Sequence, residues 1–137
     1  MNATLKTILE NEYCDVKHLL VSDLKKAAKV FKRSKYITEK CGGYCGSRKG
    51  IYILKNKNSR AVYVGYTGSY TNRIAAHMQK IDTYSQTIHS ISIIDERNLL
   101  KIRAFFKDKI YDIEYFFIDE LNPTDNKIRC PELIWEQ

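Results

Sequence analysis

Apolar residues recur along this chain with two different periods, and the change falls near Gly50. Before it, Leu20, Leu24, Ala27, Ala28 and Phe31 follow i, i+4, i+7, i+8 and i+11, one face of a helix. Lys25, Lys26, Lys29, Lys32 and Arg33 cover the other faces. This pattern predicts helices over residues 3–12 and 16–34. Gly42, Gly43, Gly46 and Gly50 then break the chain into a loop. From Gly50 the period drops to two, and residues 50–55 and 61–65 read as β-strands around a turn-rich 56–60. A hairpin with a four-residue loop at 56–59 sets Lys55 opposite Arg60 and Tyr52 opposite Tyr63, both tyrosines on one face. Residues 66–71 read as a polar loop, 72–80 as a helix and 87–94 as a third strand. Residues 96–121 read as helical, broken near 107–109 and ending before Pro123.

At 137 residues the chain fits one compact domain, and 44% hydrophobic residues suffice for a core. No apolar run approaches the ~20 residues that span a bilayer. The first residues, Met1 to Lys6, lack a basic-then-apolar signal pattern. The expectation is a cytoplasmic protein with no membrane contact (host cytoplasm if phage- or virus-encoded). Charge is uneven: residues 1–80 hold 16 Lys/Arg against 5 Asp/Glu, and residues 81–137 hold 7 against 11. Such asymmetry suits either a polyanion partner or a solvated lysine-rich surface. Lys25, Lys29, Arg33, Lys55 and Arg60 are the candidate contacts to nucleic acid. Cys41 and Cys45 are spaced at the edge of zinc-loop usage. Cys14 and Cys130 complete a four-thiolate set only if the fold gathers them.

One carboxylate stands out. On an idealised wheel of about 100° per residue, Glu114 lies within about 60° of Ile110, Tyr111, Phe117, Ile118 and Leu121. Asp112, Asp119 and Glu120 lie roughly 120° or more away. A carboxylate in an apolar stripe requires a partner, since burying it unpaired costs several kcal/mol. That partner is a cation such as Arg73, or a metal ion. Arg73 and His77, four residues apart, share a helix face.

Gly50-Ile51-Tyr52, Tyr63-Val64-Gly65, Arg73 with His77, and Glu114 followed by Pro123 and Asn126 together resemble the GIY-YIG nuclease family. The likeness covers residues 50–126. It implies an α/β (α+β) domain with a three-stranded antiparallel sheet flanked by helices. Residues 1–49 would form a basic helical extension and 127–137 a C-terminal tail.

The resemblance also implies roles. Tyr52 and Tyr63 flank the attacking water, with Tyr52 the better candidate for general base. Arg73 contacts the scissile phosphate, and His77 assists proton transfer. Glu114 binds a divalent metal, Mg²⁺ or Mn²⁺, while Gly50, Gly65 and Asn126 support the site. The residue types suit phosphodiester hydrolysis: a hard cation and a guanidinium neutralise the phosphate oxygens, and a phenol of pKa near 10 needs neighbours to act as a base. One position departs from the pattern. Many members carry Lys directly after the second signature, where this chain has Tyr66, so His77 carries more of the activation. The function expected is metal-dependent cleavage of DNA, by a monomer or by a homodimer or higher homo-oligomer. The other readings are a non-catalytic nucleic-acid-binding module and a nuclease for RNA or branched DNA.

Overall fold

The computed structural model describes residues 5–10, 15–27, 30–41, 49–107, 110 and 112–126. They form α1 (Leu5–Glu10), β1 (Lys17–Leu20), α2 (Val21–Lys26), α3 (Val30–Cys41), β2 (Gly50–Lys55) and β3 (Ala61–Thr67). There follow α4 (Tyr70–His77), a 3-10 segment (Met78–Thr83), β4 (Ser90–Asp95), α5 (Glu96–Phe106) and α6 (Ile113–Leu121). The strands pair antiparallel in the order β1-β4-β2-β3. The central strand β2 is apolar on both faces, as a strand covered on two sides must be. Ile51 and Ile53, with Val64 and Ile94, pack on Leu99, Ile102, Ile113 and Phe117. Tyr52 and Leu54, with Ile91 and Ile93, pack on Leu24, Ile37, Ile74 and Ala75. No helix among the described residues is long and apolar enough to cross a membrane.

The antiparallel sheet flanked by helices is as expected, but among the described residues it has four strands rather than three. Residues 16–34 do not form one helix: 17–20 pair with β4 as β1, and helices begin at Val21 and Val30. β4 is the cause, since its second edge would otherwise be unpaired. Leu19 enters the core at 3% exposure, whereas Leu20, assigned by periodicity to an apolar helix face, is 45% exposed. His18 Nδ1 lies 2.8 Å from Ser92 Oγ, a contact between residues 74 positions apart that leaves no trace in a local period. The Val21 N–H donates to the His89 carbonyl at 2.9 Å, where the strand turns into α2.

The hairpin register also differs from expectation. Tyr52 pairs with Gly65 and Leu54 with Tyr63, while Lys55 faces Ala61 rather than Arg60. A bulge leaves Val62 without a residue opposite. Tyr52 has moved two residues along its partner, so the alternation survives and Tyr52 and Tyr63 still share a face. At the turn, the Asn56 side-chain carbonyl accepts from the N–H groups of Asn58 and Arg60. The β4 strand begins at Ser90, three residues later than expected, and α4 begins at Tyr70, two residues earlier. α5 ends at Phe106, next to the expected break, but α6 begins only at Ile113, and residues 108 and 109 lie outside the described residues.

Among the described residues β3 has a strand neighbour on one side only, and the segment after Asp112 completes the other. Val64 N–H donates to Asn126 Oδ1 and Val64 C=O accepts from Asn126 Nδ2, each at 2.8 Å. The Asp125 N–H donates to the Val62 carbonyl at 2.8 Å, and the Tyr66 N–H donates to the Glu114 carboxylate at 2.6 Å. α6 is held there by its caps. Asp112 accepts from the Tyr115 N–H at 2.8 Å, and Asn122 ends the helix in the left-handed region at φ 47°. Asn126→Ala removes both partners of Val64, and should cost about 1–3 kcal/mol. The expected readout is a lower urea midpoint with an unchanged m-value.

Candidate active site

Tyr52 lies in the middle of β2, 1% exposed, on the face covered by α4. Its ring lies over Gly65, its register partner on β3. A Cβ at Gly65 would overlap the Tyr52 phenol. Gly50 is similarly confined: a Cβ there would overlap the Ile94 carbonyl and come 3.0 Å from the Asp95 Cα. Both signature glycines therefore supply space for close approach.

α4 presents Arg73 and His77 to the same phenol. Tyr52 Oη lies 2.8 Å from His77 Nε2, and the Arg73 guanidinium lies near enough for its charge and its donors to act on the Tyr52 hydroxyl. The Tyr63 ring stacks on Tyr52 at 6.1 Å and lies 5.5 Å from His77 between centroids. A fourth ring closes the cluster: the Tyr84 hydroxyl bonds His77 Nδ1. Nothing in the sequence marks Tyr84. A kink at Lys80 in the 3-10 segment separates it from His77, so their spacing of seven does not run along one continuous helix.

Burial dominates the electrostatics. It raises the Tyr52 pKa strongly, against the opposing hydrogen bond from Arg73. His77 is held down to about 4, first by burial and then by the charges of Arg73 and Lys80, so its imidazole is neutral at neutral pH. Tyr84 is pushed up to about 12 by burial and by Tyr63. The Arg73 pKa is raised by its hydrogen bond to Tyr52.

Glu114 sits in the first turn of α6, half-buried rather than centred in an apolar stripe. The helix begins at Ile113, so Ile110 is not on its wheel, and Tyr111 lies outside the described residues. Its observed partner is the Tyr66 N–H, one residue beyond the glycine beneath Tyr52. Among the described residues, the ion pairs Lys17–Asp15, Lys25–Asp82 and Lys26–Asp23 lie elsewhere, so Arg73 is not its counter-ion. The described residues contain no cluster of three or more potential metal ligands, and Glu114 offers a lone carboxylate.

The structure thus brings Tyr52, Tyr63, Arg73 and His77 together, with Gly65 beneath and Glu114 and Asn126 along the outer edge of β3. The candidate nucleic-acid contacts are spread out. Lys55 and Arg60 lie at the hairpin end, lining a cleft with Glu120 and Asn122. Lys25 reaches Asp82 at 3.9 Å, and Arg33 Nε donates to the Leu24 carbonyl at 3.3 Å. Lys29 lies outside the described residues, as do Cys14, Cys45 and Cys130 of the considered zinc set. Cys41 is a free thiol, pushed up to about 11 chiefly by burial.

Gly65→Ala forces the Tyr52 ring to move and should destabilise by about 1–3 kcal/mol, read by chemical denaturation. A pH effect follows from His77. Its pKa falls from 6.5 to about 4 on folding, so the unfolded chain binds a proton that the folded chain refuses. Its stabilising contribution is complete above the unfolded value and lost as pH drops through the window between the two. Thermal melts should show Tm falling across that window, less steeply in His77→Gln; His18, also lowered by burial, remains in both proteins.

The GIY-YIG catalytic domain family matches residues 48–129, more than half of the chain and all of the site just described. No curated protein and no solved structure matches it. With both signatures meeting at one buried phenol, the chain belongs to the GIY-YIG nuclease family.

Proposed function

We propose that this chain is a divalent-metal-dependent endonuclease that hydrolyses phosphodiester bonds in DNA, with Tyr52 as general base. The observation that carries this reading is the Tyr52 hydroxyl. It is buried, 2.8 Å from a neutral imidazole nitrogen and under the charge of Arg73.

The raised pKa of Tyr52 argues against a standing phenolate at neutral pH. A neutral phenol can still serve if it passes its own proton on as it accepts another. Water gives a proton to Tyr52 Oη, Tyr52 gives its proton to His77 Nε2, and the hydroxide oxygen bonds to phosphorus. The P–O bond to the departing sugar oxygen breaks, and solvent protonates that oxygen. His77, made a poor base by its surroundings, returns its proton readily to solvent afterwards. Arg73 is exposed enough to meet a phosphate while holding Tyr52, and donates to the non-bridging oxygens. Tyr63 lines the water's approach.

Glu114 fits a hard divalent cation: it is a half-buried carboxylate with one oxygen on a backbone N–H and no basic side chain paired to it among the described residues. A single carboxylate suits Mg²⁺ or Mn²⁺, since Mg²⁺ keeps several of its waters. When bound, such an ion neutralises charge on the phosphate oxygens and favours hydroxide formation. Asn126 supports this edge through Val64. DNA as substrate is favoured by the excess of basic residues before residue 81. Lys25, Arg33, Lys55 and Arg60 would supply phosphate contacts.

The deciding experiment is plasmid cleavage with Mg²⁺ or Mn²⁺, beside RNA and branched DNA. Wild type should nick or linearise plasmid, and EDTA should abolish this. Glu114→Ala should lower the rate by about a hundredfold or more while shifting Tm little. Cleavage by Glu114→Ala at the wild-type rate would refute the assignment of the metal ligand.

A further inference from the structure

Both nitrogens of the His77 ring are engaged by phenols, Tyr52 at Nε2 and Tyr84 at Nδ1. A neutral imidazole has one donor and one acceptor, so these two bonds must run in opposite senses. The neighbours set the direction. Arg73 is a cation with donors only, and its charge on Tyr52 draws the phenol's lone pairs toward itself and turns the phenol's hydrogen away. Among the described side chains the Tyr52 hydroxyl bonds to His77 Nε2. The reverse sense, with Nε2–H donating to Tyr52, would leave the buried Tyr52 hydrogen without an acceptor among those side chains. Nε2 therefore accepts, Nδ1 carries the hydrogen, and Nδ1–H donates to the Tyr84 oxygen.

We propose that Tyr84 is a positioning residue: its hydroxyl oxygen holds His77 in the Nδ1–H tautomer and turns the Nε2 lone pair toward Tyr52. This rests on the nuclease reading for its catalytic consequence, though the tautomer itself does not. The opposite tautomer would aim a hydrogen at the phenol and close the route by which Tyr52 sheds its proton. As His77 takes that proton at Nε2, the Tyr84 oxygen continues to accept from Nδ1–H and shares the imidazolium charge. Geometry supports the assignment. The Tyr84 ring lies 6.0 Å from His77 and 5.8 Å from Tyr63, and His77 is only 3% exposed, so its ring has few other orientations. The charged and titratable groups facing the imidazole are Arg73, Lys80, Tyr52, Tyr63 and Tyr84.

Two measurements test this. Nitrogen NMR of the wild-type imidazole, assigned by loss of its signals in His77→Gln, should show Nδ1 protonated and Nε2 unprotonated. Tyr84→Phe keeps the ring and removes the oxygen; it should move those signals toward a mixture of tautomers. In plasmid cleavage the same variant should lower kcat by about tenfold to a hundredfold, with KM unchanged. An Nε2–H tautomer in the wild type overturns the proposal, as do unmoved signals and kcat in Tyr84→Phe. If Tyr84→Phe does not fold, the wild-type spectrum decides. A wild-type chain that holds the Nδ1–H tautomer yet cuts no substrate with any metal refutes the nuclease reading and leaves the imidazole assignment standing.

Discussion

The open side of β3 is the constraint on which this structure turns. A strand with one neighbour leaves alternate N–H and C=O groups unpaired, and such edges must be paired, covered or broken. Here the segment after Asp112 supplies the pairing piece by piece: Glu114 for Tyr66, Asp125 for Val62, and the Asn126 amide for both groups of Val64. The carboxylate proposed to hold the metal thus arrives beside the tyrosine cluster as part of the solution to a sheet-edge problem. Its position comes from backbone hydrogen bonding, which is stiffer than contact between long side chains.

The cluster itself is a polar construction inside an apolar layer. Tyr52 and His77 are as buried as the isoleucines around them, and a buried polar group is tolerated only when its hydrogen bonds are made. The ordered run Arg73, Tyr52, His77, Tyr84 meets that requirement, and the proposed tautomer gives each of its protons a direction. Stability and the proposed chemistry draw on the same bonds.

Much of this was legible in the sequence. The resemblance to the family points to the two signatures and to Arg73 and His77, while strand alternation and helix periodicity, being local, place the hairpin and set Arg73 and His77 on one face. Tyr52 and Tyr63 share a face in the expected and the observed register alike, because the two differ by two residues, a full strand period. The wheel over 110–121 singles out Glu114, although the helix starts at Ile113 and the carboxylate's partner is a backbone N–H. β1 was invisible because four residues of Lys-His-Leu-Leu acquire strand identity only from β4. Tyr84 was invisible for a similar reason, since a kinked turn, not a repeat, carries it back to His77.

The bulge at Val62 puts Val62 and Tyr63 on the same side of the sheet and interrupts regular pairing before Lys55 meets Ala61. The tip at 56–60 has anchors of its own: Asn56 accepts from Asn58 and Arg60, and its Nδ2 donates to Gln86 Oε1 at 2.7 Å. A change at the tip therefore loads these bonds and the bulge before it reaches Tyr63, so the irregularity acts as a buffer between the end of the hairpin and the tyrosine cluster.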